Sequence, residues 1–119
     1  MNDHGPNQTP CTTETEAGRL REWAVTCLDR LFSAMADPSR VQILYLLAGV
    51  DELTVGDITS QVGLSSSAVS HQLGLLRDRD LVSARREGRS VHYSLTDDHV
   101  RQLLEVGIAH ACGDCRRPR

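Results

Sequence analysis

The chain has 119 residues, a length that suits a single domain with one modest hydrophobic core. Its formal net charge of −3 excludes a uniformly basic protein that binds nucleic acid without regard to sequence, because such binding depends on many neutralised phosphates. Only 3% of the residues are aromatic, so the core must be mainly aliphatic, which favours packed helices. Neither a signal peptide nor a membrane-length apolar run occurs, and we expect a cytoplasmic protein without membrane contact.

The N-terminal part of the chain is predicted to be a mobile tail followed by two helices. Residues 1–13 are polar and show no periodicity. From Glu14 apolar side chains recur at spacings of three and four, which predicts one long amphipathic helix that stops near Asp37. Pro38 suits the first turn of a second helix, which is predicted to end near Gly49.

Two shorter helices are predicted next. The stretch TVGDITSQVG places apolar residues at helical spacing and is closed by Gly63. The stretch LSSSAVSHQLGLLRDRDL carries a stripe of aliphatic residues, and either Ser65 or Ser66 can cap its start. Two short helices joined by so short a connection are typical of a helix-turn-helix.

The C-terminal third is predicted to contain a β-hairpin and a last helix. The segments LVSARR and SVHYSL alternate apolar and polar residues around a turn at Glu87–Gly88, which indicates a two-stranded wing. Thr96 or Asp97 can cap the last helix, and Gly113 is predicted to end it.

These elements define a mainly α fold with a small β-hairpin, a winged helix-turn-helix with the element order ααα(α)ββα. We expect one DNA-binding and dimerisation domain over residues 14–112, between the tail 1–13 and a C-terminal tail over residues 113–119. No Gly-rich phosphate loop, GxSxG elbow or HExxH helix occurs in the sequence, so no enzymatic activity is predicted.

A DNA-reading surface is predicted from the fourth helix and the hairpin. A helix that enters the major groove needs short polar side chains near its N-terminus and cations beside it for the phosphates. Gln72 is expected to read adenine and His71 to donate to guanine, while the hairpin arginines press into the minor groove or onto its backbone. The alternative is a solvated helix cap and a charged edge that prevents aggregation. The candidate residues are Ser65, Ser66, Ser67, Ser70, His71, Gln72, Arg77, Arg85, Arg86 and Arg89.

Five segments, in order and without large gaps, resemble the ArsR/SmtB family of metal-responsive repressors. They are ADPSRVQIL, ELTVGDIT, SSSAVSHQLGLLRDRDLV, REGRSVHYSL and DDHVRQLLEVGIAH. The resemblance implies a winged helix homodimer, joined through the first and last helices, that binds a palindromic double-stranded operator in the metal-free state. It also implies that the dimer leaves the operator when a divalent metal ion binds.

The last helix carries the candidate metal ligands. His99 and His110 are eleven residues apart, so they share a helix face but lie roughly 16 Å from each other, too far for one ion within one chain. Two such helices packed antiparallel across a twofold axis would bring His99 of one chain to His110 of the other, twice. Asp97, His99 and His110 match the first three positions of the family's ligand pattern, and these donors suit zinc, nickel or cobalt.

The fourth ligand remains open. Three residues after His110, where the family has Glu or His, stands Gly113, which has no donor side chain. Asp114 is slightly preferred in its place, on the condition that the helix persists past Gly113. The alternatives are Cys112, Cys115, a water molecule or no fourth ligand.

The cysteines suggest other sites and other functions. In the family's second site a cysteine stands where this chain has Thr54, which disfavours a thiol site for cadmium or lead, although His4 and Cys11 on the tail can add ligands. Cys112 and Cys115 have the CxxC spacing, so a thiol- or metalloid-sensing repressor of the same fold is the alternative function. A small dithiol oxidoreductase is disfavoured because the βαβ context is missing.

Overall fold

The computed structural model describes residues 12–113, and within this range it shows five helices and a two-stranded antiparallel sheet. The element order confirms the predicted mainly α fold with a β-hairpin after the helix-turn-helix. The elements are α1 (Glu22–Met35), α2 (Pro38–Ala48), α3 (Val55–Val62), α4 (Ser66–Asp78), β1 (Val82–Glu87), β2 (Ser90–Leu95) and α5 (Asp98–Cys112).

α1 is shorter than predicted because the chain before it folds back on itself. The helix begins at Glu22 and not at Glu14, so the predicted N-terminal boundary is wrong. Between these residues the backbone turns at Gly18, whose φ of 81° lies outside right-handed helical geometry. An isolated β-bridge then pairs Glu14 with Leu20. The apolar spacing predicts a helix here, but Gly18 permits the turn that precedes α1.

The hydrophobic core lies where α2, α3 and α4 meet the hairpin and α5. α1 contributes Ala34 to this cluster and otherwise packs at its edge. Full burial of a Val, Leu or Ile side chain contributes about 1.5–3 kcal/mol to the free energy of unfolding. The helix-turn-helix and the wing therefore share one core. Its fully buried side chains are Ile43, Leu44, Leu47, Ile58, Val69, Leu73 and Leu76.

Local hydrogen bonds set the ends of α3 and α4. The Thr54 hydroxyl accepts the Asp57 N–H and the Asp57 carboxylate accepts the Thr54 N–H, which is a reciprocal capping box. These hydrogen bonds hold the pKa of Asp57 below its usual value. Gly63 ends α3 with a φ of 72°, and Ser65 caps α4 by accepting the Ala68 N–H over 3.1 Å. Of the two predicted caps, Ser65 is the one used.

The wing turns one residue later than predicted. Glu87 and Ser90 form the last pair of the strand ladder, so the turn is Gly88–Arg89 and not Glu87–Gly88. Gly88 has a φ of 62°. A tight two-residue hairpin turn requires a positive φ at its first position, which glycine adopts without strain.

α5 runs without interruption from Asp98 to Cys112. The Asp97 carboxylate accepts the His99 N–H over 2.9 Å, so Asp97 and not Thr96 is the cap. The helix ends at Gly113, as predicted, where φ is 56°. Among the described helices none is both long and apolar enough to cross a lipid bilayer.

Candidate functional site

One side of α4, beside its buried aliphatic stripe, exposes polar side chains. Ser66, Ser70 and Arg77 are separated by four and seven residues and therefore share one face. Ser67 and His71 lie beside them, and all five residues are exposed. α4 thus presents to solvent a row of hydroxyl groups, one imidazole and one guanidinium.

Gln72 lies away from this face. It is two residues from Ser70 and therefore about 160° around the helix. Its half-buried side chain accepts a hydrogen bond at Oε1 from the Arg40 Nη1 over 3.1 Å. Reading adenine requires the amide to reach a base edge and to use that same oxygen, so this position gives the predicted contact no support.

Arg85 in β1 is held by carboxylates of its own chain. Its Nη2 and Nε donate to Glu52 over 2.7 and 2.9 Å, and its Nη1 lies 3.3 Å from Glu87. The hydrogen bonds from Arg85 hold the pKa of Glu52 below its usual value and raise the pKa of Arg85 itself. The ring nitrogens of His92 lie 3.9 Å from Glu52 and 3.7 Å from Glu87. The sequence analysis missed Glu52, because a contact between residues 33 positions apart leaves no local signal.

Arg86 and Arg89 are the wing arginines that have no carboxylate partner in the described part of the chain. Arg86 follows Arg85 in the strand and so points to the opposite face, and Arg89 lies in the turn. Both are exposed, and neither forms an ion pair with any residue from 12 to 113. Two backbone hydrogen bonds of 2.8 and 2.9 Å between Leu53 and Tyr93 fix the hairpin to the loop before α3. The wing therefore exposes the guanidinium groups of Arg86 and Arg89 on a hairpin that is anchored to the loop before α3.

Asp97 and His99 lie together at the start of α5. The Asp97 Oδ1 is 3.5 Å from the His99 Nδ1, and the two side chains are 49% and 84% exposed. His110 is in the last turn of the same helix and is also exposed. Within the part of the chain that the structure describes, no three His, Cys, Asp or Glu side chains converge on a metal site. A single chain therefore holds the predicted ligands at two separate places on α5.

The other candidate ligands are only partly covered by the structure. The condition stated for a fourth ligand beyond Gly113, that the helix continues, is not met because α5 ends at Cys112. Cys112 is half-buried in the last turn. Four candidates lie outside the described residues: His4, Cys11, Asp114 and Cys115.

α1 and α5 expose large apolar side chains. On α5, Val106 is 68% and Ile108 is 41% exposed, and on α1 Phe32 is 54% exposed. Contiguous apolar surface on a small protein usually marks an interaction site. The two helices named in the predicted dimer interface thus carry apolar residues on their outer sides. Further exposed residues of this kind on α1 are Trp23, Val25 and Leu28.

Known proteins resemble this chain in sequence and in fold. Residues 37–84 match the family described as bacterial regulatory protein, arsR family. A transcriptional repressor SmtB homolog from Synechocystis sp. is 53% identical over 79 residues, which are 66% of this chain and 59% of that protein. The chain therefore spans less than two thirds of the length of this relative.

Two further proteins extend the comparison. A cadmium resistance transcriptional regulatory protein CadC homolog from Staphylococcus aureus is 40% identical over 81 residues, which are 68% of this chain and 67% of that protein. The solved structure of reduced HlyU from Vibrio cholerae matches with a TM-score of 0.68 at 36% identity, over 76% of this chain and 95% of that chain. Sequence and fold agree, and the chain belongs to the arsR family of bacterial regulatory proteins.

Proposed function

We propose that the chain is a transcriptional repressor that binds operator DNA as a homodimer and leaves it when a divalent metal ion binds. The observation that carries the DNA-binding part is the exposed row of Ser66, Ser70 and Arg77 on α4, accompanied by the free arginines of the wing. Relatives named as a transcriptional repressor and as a cadmium resistance regulator support regulation that is linked to metal.

α4 is the helix proposed to enter the major groove. The hydroxyls of Ser66, Ser67 and Ser70 can donate to phosphates or accept from base edges, and His71 can donate to guanine. Arg77, two turns further along the same face, is proposed to contact a phosphate. Ser65 is engaged as the cap of α4, so its proposed contribution is to hold the helix N-terminus.

Arg86→Gln is expected to weaken the salt dependence of operator binding. Each phosphate contact contributes about 0.9 to the slope of log affinity against log salt concentration, and a dimer loses two contacts, so the slope should fall by about 1.8. Fluorescence anisotropy of a labelled operator between about 50 and 200 mM salt measures this slope.

Arg85→Gln is the matched control, because Glu52 already holds the Arg85 guanidinium at 2.7 Å. Its slope should equal that of the parent chain. An unchanged slope for Arg86→Gln would remove Arg86 from the DNA surface. A fall of about 1.8 for Arg85→Gln would show that Glu52 releases Arg85 to the phosphates.

The outer stripe of α5 supports an antiparallel contact between two copies of this helix. His99, Leu103, Val106 and His110 follow one another at spacings of four, three and four residues, so they lie on one face. A twofold axis that pairs Leu103 with the partner's Val106 also pairs His99 with the partner's His110, because the stripe is symmetric about its centre. The contact that buries the apolar pair thus brings the distant imidazoles together.

Asp97 and His99 fit a shared divalent ion. Two donors bound to one tetrahedral zinc ion at about 2.0 Å lie about 3.3 Å apart, close to the 3.5 Å between the Asp97 Oδ1 and the His99 Nδ1. The partner's His110 is the proposed third ligand, and a cysteine or water the fourth. When bound, the ion joins the two α5 helices. Asp97 also caps α5, so we propose that a metal ion bound to this carboxylate acts on the first turn of that helix.

The donor types favour zinc, nickel or cobalt over softer ions. Carboxylate and imidazole groups, as at Asp97 and His99, suit these three metals, whereas cadmium and lead prefer thiolates. At the start of α3, where a thiol would be needed, the Thr54 hydroxyl is occupied by the Asp57 N–H. We therefore propose a response to zinc, nickel or cobalt, although one relative is named for cadmium resistance.

An operator-release titration tests the proposed function. A duplex selected by the chain from a random library is labelled and followed by anisotropy while zinc, nickel, cobalt and cadmium are added in turn. Operator affinity should fall by about 5- to 150-fold with at least one of the first three ions and recover with chelator. If no duplex is selected, the DNA-binding proposal fails. If operator affinity does not change with any of the four ions, the metal-release proposal fails.

A thiol sensor of the same fold is the second candidate, favoured by the similarity to a HlyU structure named for its reduced state. Cys112, half-buried at the end of α5, is the described residue that would take part. Release of the operator by a thiol oxidant in chelator, reversed by reductant and abolished in Cys112→Ser, would favour this candidate. Release by metal in the same variant would favour the metal sensor.

A further inference from the structure

The C-terminal end of α1 is tied to the rest of the chain by an arginine from α2. A helix leaves its last carbonyl groups without partners, and α1 has no basic residue in its own last turn. The Arg40 Nε donates to the Ala34 carbonyl over 2.6 Å, and its Nη2 donates to the Ser33 carbonyl over 3.4 Å. A cation at this end is also favourable for the helix dipole.

The same guanidinium holds the side of α4 that faces away from the exposed serines. Its third contact is the 3.1 Å hydrogen bond from Nη1 to the Gln72 Oε1. The Arg40 guanidinium has no carboxylate partner among residues 12–113. The nearby Asp37 carboxylate accepts the Arg40 backbone N–H instead. All three contacts are directed hydrogen bonds to neutral oxygens, and a planar guanidinium imposes their relative geometry.

α1 and α4 are otherwise joined mainly through α2. α4 packs on α2, α3 and β1, whereas α1 packs on α2. A second polar link runs parallel to the first, because the Arg79 Nη1 at the end of α4 donates to the Arg30 carbonyl of α1 over 3.3 Å. The position of α4 relative to the end of α1 therefore depends on two sets of hydrogen bonds, those of Arg40 and that of Arg79.

We infer that Arg40 is a positioning residue for DNA reading, which fixes α4 to the end of the dimerisation helix α1 through Gln72. This rests on the operator-binding and dimer parts of the proposed function. Because the two α1 helices belong to the proposed dimer interface, the Arg40–Gln72 link sets the direction in which each α4 meets the groove. Gln72 then acts on the operator without touching it.

Metal-free operator binding by Gln72→Met, Arg40→Lys and the double variant tests this inference. Methionine keeps the shape of Gln72 without its hydrogen-bond acceptor. Lysine keeps the charge of Arg40 without the planar guanidinium that makes several hydrogen bonds at once. Each single variant should lose about tenfold in specific operator affinity, and the double variant should lose no more than the worse single one. Affinity for random duplex and the salt slope should stay at the parent values, because no phosphate contact is removed.

Gln42→Met is the matched control. It is the same substitution at an exposed glutamine of α2, the helix of Arg40, and the Gln42 side chain forms no hydrogen bond with any residue from 12 to 113. It should keep full operator affinity at temperatures where all variants are folded. Losses that multiply in the double variant, a reduced salt slope for Gln72→Met, or unchanged affinity in both singles would overturn the link. A parent chain that selects no duplex would instead overturn the proposed function.

Discussion

Val106→Glu is expected to convert the dimer to a monomer and to weaken operator binding by on the order of 10² to 10⁴-fold, because two linked half-sites become one. Val106 is 68% exposed, so in the single protomer the new carboxylate stays in water. The free energy of unfolding should therefore change by no more than about 0.5 kcal/mol. In the proposed contact between α5 helices the carboxylate would be buried without a partner, which opposes association. Sedimentation velocity and operator anisotropy measure the two effects.

Val50→Glu is the matched control for this change. Val50 is also exposed, at 42%, but it lies in the loop after α2 and outside the α5 stripe proposed as the dimer contact. This variant should remain dimeric and keep its operator affinity. A Val106→Glu chain that sediments as a dimer would place the interface elsewhere and remove the basis for a metal site shared between two copies.

His99→Ala is expected to keep operator binding and to lose the response to metal. The His99 side chain is 84% exposed and packs against no core residue, so its removal leaves the fold and the α4 surface in place. Without one of three proposed ligands, the fall in operator affinity on adding metal, about 5- to 150-fold in the parent, should disappear. His110→Ala should behave in the same way. Operator anisotropy with and without the active ion measures both.

A mixture of the two histidine variants tests whether the ligands are shared between protomers. In a mixed dimer one site keeps Asp97 and His99 from one chain and the partner's His110, so the mixture should regain part of the metal response. Gln102→Ala, an exposed change on the same helix, should respond like the parent. Normal release by His99→Ala, or no recovery in the mixture, would contradict the shared site.

Much of the fold was predictable because local chemistry encodes it. Pro38 at the start of α2, Gly63 after α3 and the cap at Ser65 each act within a few residues, and the structure shows all three where they were expected. The family resemblance added the predicted operator binding and the predicted metal role of the α5 histidines. The predicted start of α1 is wrong because apolar periodicity does not register the turn that the backbone makes at Gly18.

The sequence by itself determined the order of the elements, the capped helix-turn-helix and the presence of candidate ligands at both ends of α5. Only the tertiary structure decided which polar groups are free. In the folded chain Arg85 pairs with Glu52 and Gln72 is hydrogen-bonded to Arg40, whereas Arg86 and Arg89 are exposed. The reason is physical: caps and turns are satisfied by neighbours in the chain, whereas an ion pair or a side-chain hydrogen bond over 30 or more residues forms only after packing brings its partners together.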